Sequence, residues 1–393
     1  MWEWKLRIAL NAIDWVPGTM GGVEVYFGSL LDQLQRLDRN NEYLVLCNRK
    51  NQDKIRITNR KFTLRQYDLT RPSLRWFIHR GVRKATGFDF MRPAIDRLRC
   101  DVIHHPFTVL NPMGLETPSV LTVVDIQHEF FPEFFSPKIL RWRRVAYRRS
   151  VAEAVVIIAI SEYVKGTLVE KYAADPTKIE VVHIGIGRQF RAVEDPEILR
   201  RVSGRYGIGR PFLYYPAATW PHKNHRRLLE SMRLLIDRHR FDGDLILTGI
   251  AMQHHEEMLR AIDRLDLRDR VKILGYLEKE DLPALYSLAR WMVFPSLFEG
   301  FGIPLVEAMS CGCPILCSNT TSVPEVAGDA ALMFSPDSTE DIAETIRRVW
   351  NDESLRCDLR EKGFARARLF DEEEMARRTL QLYGKAAGFR RSG

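Results

Sequence analysis

Apolar runs of strand length alternate with amphipathic stretches of helix length along almost the whole chain, and this alternation narrows the fold more than any other feature. A strand buried on both faces reads as a continuous apolar run, and successive parallel strands need a crossover that a helix supplies. The pattern therefore predicts an α/β architecture of parallel sheets flanked by helices. One set of runs comprises Leu6–Leu10, Tyr43–Leu46, Val102–His104, Val120–Val124 and Val155–Ile160. A second comprises Phe212–Tyr215, Asp244–Thr248, Val271–Ile273, Trp291–Phe294, Pro314–Cys317 and Ala331–Phe334. Between the sets, Gly185 to Gly209 carries glycines, charges and Pro196 and reads as a linker. A chain of 393 residues suits two cores better than one. We expect an N-terminal domain over 1–190 and a C-terminal domain over 205–369.

Apolar residues make up 45% of the chain and charged residues 28%, ordinary for a globular enzyme. The longest candidate membrane segment, Ala152 to Ile160, is only strand-sized. Met1-Trp2-Glu3-Trp4 runs straight into the first strand without an apolar signal core, so a cytoplasmic location is expected. Six cysteines form no paired framework, and Cys311-x-Cys313 lacks the spacing of a zinc site. Lysine and arginine outnumber acidic residues 59 to 51, a net charge of +8 that favours anionic surfaces or ligands. The excess concentrates between Arg71 and Arg99, interleaved with Trp76, Phe77, Phe88 and Phe90, and again in Lys138–Arg149 around Trp142. Such helices either lie on anionic headgroups, here peripherally on the inner face of the cell membrane, or simply face water. No nucleic-acid recognition module accompanies the charge, so nucleic acid is not an expected partner.

The densest local pattern is Glu299-Gly300-Phe301-Gly302-Ile303-Pro304-Leu305-Val306-Glu307. It follows the apolar strand that Phe294-Pro295-Ser296 closes, bends at two glycines, and starts a helix with Pro304 in its first turn. A helix start of this kind binds phosphate through backbone N–H groups, and flanking carboxylates accept hydrogen bonds from sugar hydroxyls. Taken alone, the same residues also describe an ordinary capped turn. The run continues through Ala308-Met309-Ser310-Cys311-Gly312-Cys313-Pro314 into a buried strand, and Ser322-Val323-Pro324-Glu325 opens another helix.

This whole block resembles the retaining glycosyltransferases of the GT-B group, family 4 (group 1 type), which includes bacterial mannosyl- and glucosyltransferases. The resemblance implies two doubly wound, Rossmann-like domains facing across a cleft, with the last helix, 370–393, crossing back to the N-terminal domain. The tail Asp371–Gly388, rich in helix formers with Met375, Leu380, Leu382 and Tyr383, is consistent with that crossing. It further implies that Glu299 lies near the transferred sugar, that Phe301, Gly302 and Ile303 border the diphosphate, and that Glu307 meets the ribose hydroxyls.

Other motifs extend the resemblance to both halves. Pro17-Gly18-Thr19-Met20-Gly21-Gly22 follows the first strand and precedes a helix, where open α/β sheets bind ligands. It resembles the family's glycine loop, whose Gly21-Gly22 pair would approach the donor phosphates and the acceptor. In Thr219-Trp220-Pro221-His222-Lys223-Asn224-His225, Lys223 would bring positive charge to the departing diphosphate. The family usually pairs that lysine with an arginine six positions earlier, and here Ala217 occupies the place. His222, Arg226 and Arg227 are the candidates for the missing charge. Asp125-Ile126-Gln127-His128 follows a strand where many relatives carry a His-Asp pair, and Val124 stands in place of that histidine. Any acid or base role on the acceptor side then falls to Asp125 and His128, which otherwise read as a helix cap and a packed core residue. Ser161-Glu162 resembles a helix cap common in the family. Gly275-Tyr276-Leu277 resembles the segment whose backbone reads the nucleotide base, which leaves base identity invisible in the side chains. Asp242-Gly243-Asp244 precedes an apolar strand and reads as a turn rather than a metal-binding Asp-x-Asp.

The resemblance and the residues together lead to a metal- and cofactor-independent retaining hexosyltransferase. It would move mannose or glucose from a nucleotide diphosphate sugar to a saccharide or lipid-linked acceptor hydroxyl, in bacterial surface polysaccharide or glycolipid synthesis. Domain closure would exclude water from the donor. Two other readings stand beside it: a phosphorylase or hydrolase on the same fold, and a non-catalytic sugar-nucleotide-binding subunit, for which Ala217 and Val124 are the motivating departures.

Overall fold

The computed structural model describes residues 5–18, 21–67, 89–278 and 280–391. The chain divides into two compact units, one of Met1–Gly185 with Glu372–Gly393 and one of Ile186–Asp371.

In the first unit, β1 (Arg7–Asn11), β2 (Glu42–Cys47), β3 (Phe62–Gln66), β4 (Val102–His105), β5 (Ser119–Val123), β6 (Val156–Ala159) and β7 (Ile179–Val181) form one sheet. Its order is β3-β2-β1-β4-β5-β6-β7, with every pairing parallel. β4, β5 and β6 are buried along their whole length, as strands covered on both faces must be. The helix Gly22–Leu37 buries Tyr26, Phe27, Leu30, Leu31 and Leu34, the stripe expected of an amphipathic helix on a sheet.

The last helix, Glu372–Arg391, packs on Gly22–Leu37 and on β4, β5 and β6. Met375, Ala376, Leu382, Tyr383 and Ala386 are buried there. Polar contacts fix its register: Ser29 Oγ donates to Glu372 Oε2 at 2.8 Å, and Tyr383 Oη meets His104 Nδ1 at 2.8 Å. His104 Nε2 in turn meets Thr122 Oγ1 at 2.8 Å, and Tyr26 Oη meets the same hydroxyl at 2.9 Å. Burial pushes the His104 imidazole down to about 3, so this interior chain of hydrogen bonds is uncharged.

In the second unit, β8 (Phe212–Pro216), β9 (Asp244–Thr248), β10 (Val271–Gly275), β11 (Trp291–Phe294), β12 (Ile315–Ser318) and β13 (Ala331–Phe334) form a parallel sheet of order β10-β9-β8-β11-β12-β13. The strand order reverses between β8 and β11, and the carboxyl ends of two such diverging strands leave a crevice that later chemistry can use.

One expectation changes. The stretch read as a linker, 185–209, contains the helix Pro196–Arg205, capped by Asp195 accepting from the Glu197 N–H at 2.8 Å. This helix packs on Leu282–Leu288, buries Val202 and ties Arg205 to Asp281 at 2.8 Å. It belongs to the second unit because its one apolar stripe needs that partner. Asp242 and Asp244 are structural: Asp242 accepts from Trp350 Nε1 at 2.8 Å, and Asp244 pairs with Arg270 at 3.3 Å and Arg210 at 3.4 Å. The basic segment from Arg71 through Phe88 lies outside the described residues, so only its end, with Phe90 exposed, is seen.

Candidate active site

Lys223 and Glu299 meet at the crevice between β8 and β11. Lys223 Nζ donates to Glu299 Oε1 at 2.6 Å, with the two side chains only 16% and 11% exposed. The loop after β8 is locked before it delivers the lysine. Tyr215 Oη donates to the Lys223 carbonyl at 2.7 Å, and the Leu297 N–H donates to the His222 carbonyl at 2.8 Å. Asn224 takes a left-handed conformation with φ 60°, which asparagine tolerates better than most residues. Its Nδ2 donates to the carbonyls of Pro295 at 3.0 Å and Pro336 at 2.8 Å, stitching this loop to those after β11 and β13. The ammonium lies 5.7 Å from the Phe294 ring centroid.

Glu299 is held from the other side. Its N–H donates to Thr321 Oγ1 at 3.1 Å, and Ser322 Oγ donates to its carbonyl at 3.0 Å. Gly302, three residues on, has φ 96°, and a Cβ there would lie 2.9 Å from Leu305 Cδ1. That turn starts the helix Ile303–Ser310, with the Leu305 N–H closing on the Gly302 carbonyl at 2.9 Å. Phe301 is buried edge-on against Phe370 at 5.5 Å, and Ile303 is buried beside it in sequence, so both brace the loop. Glu307, one turn into the helix, accepts from the buried Tyr286 Oη at 2.6 Å. Burial first, and the adjacent carboxylate second, hold that phenol well above its ordinary range, so it remains a donor.

Beside the crevice, across β8, the carboxyl ends of β8, β9 and β10 enclose a cavity of about 440 Å³. Its walls combine Ala217, Gly249, Ile250 and Met258 with Thr219, Thr248, His225 and His255, and Tyr276 lines it while remaining 70% exposed. Leu277 is buried beneath. Gly249, with φ 131°, brings its backbone so near the Ala217 carbonyl that a Cβ would lie 2.6 Å from it. His222 does not supply the missing positive charge: desolvation, then the Lys223 and His225 charges, holds its imidazole well below the usual value and so neutral.

In the first unit, Gly21 has φ 54° and precedes the helix that Gly22 opens, with the Glu24 carboxylate accepting from the Gly18 N–H at 3.0 Å. Asp125 is half-buried after β5 and accepts from the Gln127 N–H at 3.0 Å. His128 corrects the expectation of an acid or base. Its ring is wholly buried, 4.8 Å from the Tyr147 ring, with Nε2 at 3.1 Å from Tyr172 Oη, and desolvation pushes it down to about 4. A neutral imidazole sealed in this way has no solvent path for proton exchange in this structure. Ser161 caps the helix Glu162–Tyr172 through the Val164 N–H. A groove of about 560 Å³ runs between the loop after β4 and the helix Pro137–Glu153, lined by Phe107, Leu110 and Trp142 with Asp14, Asn111 and Arg143.

Residues 20–190 match the profile of Glycosyltransferase Family 4, and residues 200–366 that of Glycosyl transferases group 1. O-antigen chain mannosyltransferase B of Escherichia coli is 30% identical over 283 residues, 72% of this chain and 74% of that protein. The chain belongs to the group 1, family 4 glycosyltransferases. This glycosyltransferase is also similar to O-antigen chain mannosyltransferase RfbU of Salmonella typhimurium, 26% identical over 58% of this chain and 60% of the relative. Among solved structures, sucrose-phosphate synthase from Thermosynechococcus elongatus aligns over 97% of this chain and 99% of its own, with TM-score 0.78 and 18% identity. Anabaena HepE in complex with UDP and glucose aligns over 97% of this chain and 100% of its own, with TM-score 0.73 and 18% identity. These alignments show the two-domain GT-B fold that the sequence motifs implied.

Several residues that shape the site were not singled out from the sequence. Asn224 and Tyr286 act through contacts with residues far along the chain, and neither position carries a local signature. Thr321 has φ 58°, a turn conformation that no residue type at that position announced.

Proposed function

We propose that this glycosyltransferase is a retaining hexosyltransferase that transfers a mannose- or glucose-type sugar from a nucleoside diphosphate sugar to an acceptor hydroxyl in surface polysaccharide or glycolipid synthesis. The observation that carries the reading is the Lys223–Glu299 pair at 2.6 Å, poised beside a helix N-terminus. In the proposed reaction the bond from the sugar C1 to the diphosphate oxygen breaks and the electron pair leaves on the diphosphate. The acceptor oxygen bonds C1 from the same face, and its proton passes to the departing phosphate oxygen. Lys223 and the Gly302 turn stabilise the negative charge as it develops, which is where an enzyme gains most. Glu299 accepts hydrogen bonds from the sugar hydroxyls, and Glu307, oriented by Tyr286, accepts from the ribose. Gly21 and Gly22 are assigned to backbone contact with phosphate. Asp125 is assigned to the acceptor side, with the groove beside Trp142 taking the acceptor's apolar or saccharide face. The names of the O-antigen mannosyltransferases, and of HepE with UDP and glucose, support the substrate class.

The test is purified protein incubated with UDP- and GDP-hexoses and a panel of saccharide and lipid-linked acceptors, following nucleoside diphosphate release and the anomeric configuration of the product. Lys223→Met and Glu299→Gln should each lower transfer at least tenfold, about 1.4 kcal/mol in the barrier. Inverted product, or full activity in both variants, overturns the assignment.

Peripheral membrane association forms part of the same proposal. The helix Pro137–Glu153 exposes Ile139, Trp142 and Val145 at 48%, 56% and 65%, three residues apart, beside Lys138 and Arg141. Arg144 and Arg148 pair with Glu129, and Arg143 stacks 4.5 Å from the Phe135 ring. Among the described residues no helix is long and apolar enough to cross a membrane, so the contact would be interfacial. Co-sedimentation with phosphatidylglycerol vesicles should fall on Arg141→Glu; binding equal to that on neutral vesicles sinks the idea.

A further inference from the structure

The strand order of the first unit reverses between β1 and β4, and a polar cluster occupies the carboxyl ends of those two strands. Asn11, the last residue of β1, is buried, and its Oδ1 accepts from the Ile13 N–H at 3.1 Å. Its Nδ2 donates to the Asn111 carbonyl at 2.5 Å and lies 3.1 Å from Nδ1 of the buried His105, the last residue of β4. The Asn111 N–H donates to the same His105 nitrogen at 3.3 Å. Two buried side chains therefore fix the Asn111 backbone from both sides of the strand reversal. The Asn111 side chain in turn holds a carboxylate: its Nδ2 donates to Asp14 Oδ1 at 2.9 Å and to Asp14 Oδ2 at 2.8 Å. Asp14 is exposed, where a hydrogen bond adds little to stability, so the effect of this contact is to orient the carboxylate.

Asp14 and Asn111 line the groove of about 560 Å³ together with Trp142, Arg143, Phe107 and Leu110. An ionised carboxylate offers about four acceptor positions, more than one amide takes, and no donor. It suits hydroxyl groups, repels phosphate, and would lie uncompensated against an acyl chain. Trp142, 56% exposed, brings an apolar ring whose negative face suits C–H groups. Hydroxyls at the rim and C–H groups on the face are what a pyranose presents.

We propose that Asp14 is a specificity-determining residue for the acceptor, accepting hydrogen bonds from hydroxyls of its saccharide, with Asn111 as the positioning residue that holds the carboxylate and Trp142 packed on the sugar's C–H face. This rests on the glycosyl-transfer reading above and narrows its acceptor from a saccharide or lipid surface to a glycan whose sugar units are themselves bound. No sequence motif marked Asp14, which lies between the first strand and the glycine loop. Its role depends on Asn111, about a hundred residues further along the chain.

The experiment uses the full chain with free trisaccharides ending in mannose, glucose, galactose or N-acetylglucosamine, and with their octyl glycosides in phosphatidylglycerol vesicles. Acceptor KM and kcat, and GDP and UDP binding by calorimetry, are measured for the parent, Asp14→Ala, Asp14→Asn, Asn111→Leu, Trp142→Ala and the Asp14→Ala/Asn111→Leu double variant. The expected result is that Asp14→Ala raises the KM of the free trisaccharide about tenfold or more, with kcat and nucleotide binding little changed. Asp14→Asn, which keeps one carbonyl acceptor, falls between. Asn111→Leu raises the KM about threefold and adds nothing to Asp14→Ala in the double variant, because it acts through the carboxylate. Trp142→Ala raises the KM of free and vesicle-bound acceptors alike. Unchanged acceptor KM in Asp14→Ala overturns the proposal, and so does an equal loss of nucleotide binding, which marks a folding defect. A Trp142→Ala effect confined to vesicle-bound acceptors overturns it in favour of a membrane contact. So does a parent that binds nucleotide yet transfers to no free trisaccharide. A parent that binds neither nucleotide refutes the donor-site reading itself, and the proposal falls with it.

Discussion

Replacing Gly302 with alanine tests whether the backbone of the loop carrying Glu299 must hold its observed shape. Gly302 has φ 96°, where an L residue is strained by about 1–3 kcal/mol. The added Cβ would also sit 2.9 Å from Leu305 Cδ1, and Leu305 is fully buried, so relieving the contact means repacking at about 1–2 kcal/mol. Together these give a loss of about 2–5 kcal/mol. In a unit the size of Ile186–Asp371, each kcal/mol lowers the melting temperature by about 2–4 °C, so a fall of about 4–20 °C is expected. Scanning calorimetry, with urea unfolding for the free energy, measures it. Gly28→Ala is the control, because a Cβ there meets nothing within 4 Å and alanine is the better helix former. Donor turnover at 25 °C, where the variant remains folded, should fall more than tenfold, since Glu299 is three residues from the distortion. A variant that melts within about 1 °C of the parent and turns over donor normally would refute the reasoning, because the turn would then be free to relax.

In a double-mutant cycle of Lys223→Met and Glu299→Gln, the two losses in kcat/KM should combine to less than their product, since each group orients the other; strict multiplicativity would show independent roles. Tyr286→Phe removes the 2.6 Å hydrogen bond to Glu307, and donor KM should rise about three- to tenfold with kcat nearly constant; an unchanged KM would detach Glu307 from donor binding. Stability should fall as pH drops through about 6.5. His104 and His105 are held near 3 by burial, so below the unfolded value of about 6.5 the unfolded chain takes up protons that the fold refuses. Each then costs about 2 kcal/mol at pH 5, read as a lower urea midpoint that His105→Gln should partly restore.

The central strands were legible because they are covered on both faces and must be continuously apolar, as β4, β5, β6 and β11 are. The edge strand β3 was not, because Thr63, Arg65 and Gln66 stand at a solvated rim and break the apolar run. The short edge strand β7 was missed for the related reason that its three residues, Ile179 to Val181, include Glu180. In the site, Glu299, Gly302 and Lys223 were readable because they lie in compact local motifs. His128 misled because its burial depends on Tyr147 and Tyr172, which the chain supplies from two later helices. Such a partner cannot be read from the neighbours in sequence.

The arginine expected six positions before Lys223 is absent, and the three candidates for its charge differ in their surroundings. His222 is neutral. Arg226, 56% exposed, leans to Glu230 at 3.8 Å, and Arg227 pairs with Asp337 at 3.6 Å while donating to Asn224 Oδ1 at 3.3 Å. Ala217 lines the cavity at the ends of β8, β9 and β10, and Gly249 packs against its carbonyl. On the proposed reading, charge stabilisation of the diphosphate rests on Lys223 and the helix that Gly302 begins. That reading predicts that Lys223→Arg should fall short of the parent, since the longer fork has to fit where the ammonium now lies 2.6 Å from Glu299 Oε1 and 5.7 Å from the Phe294 ring centroid.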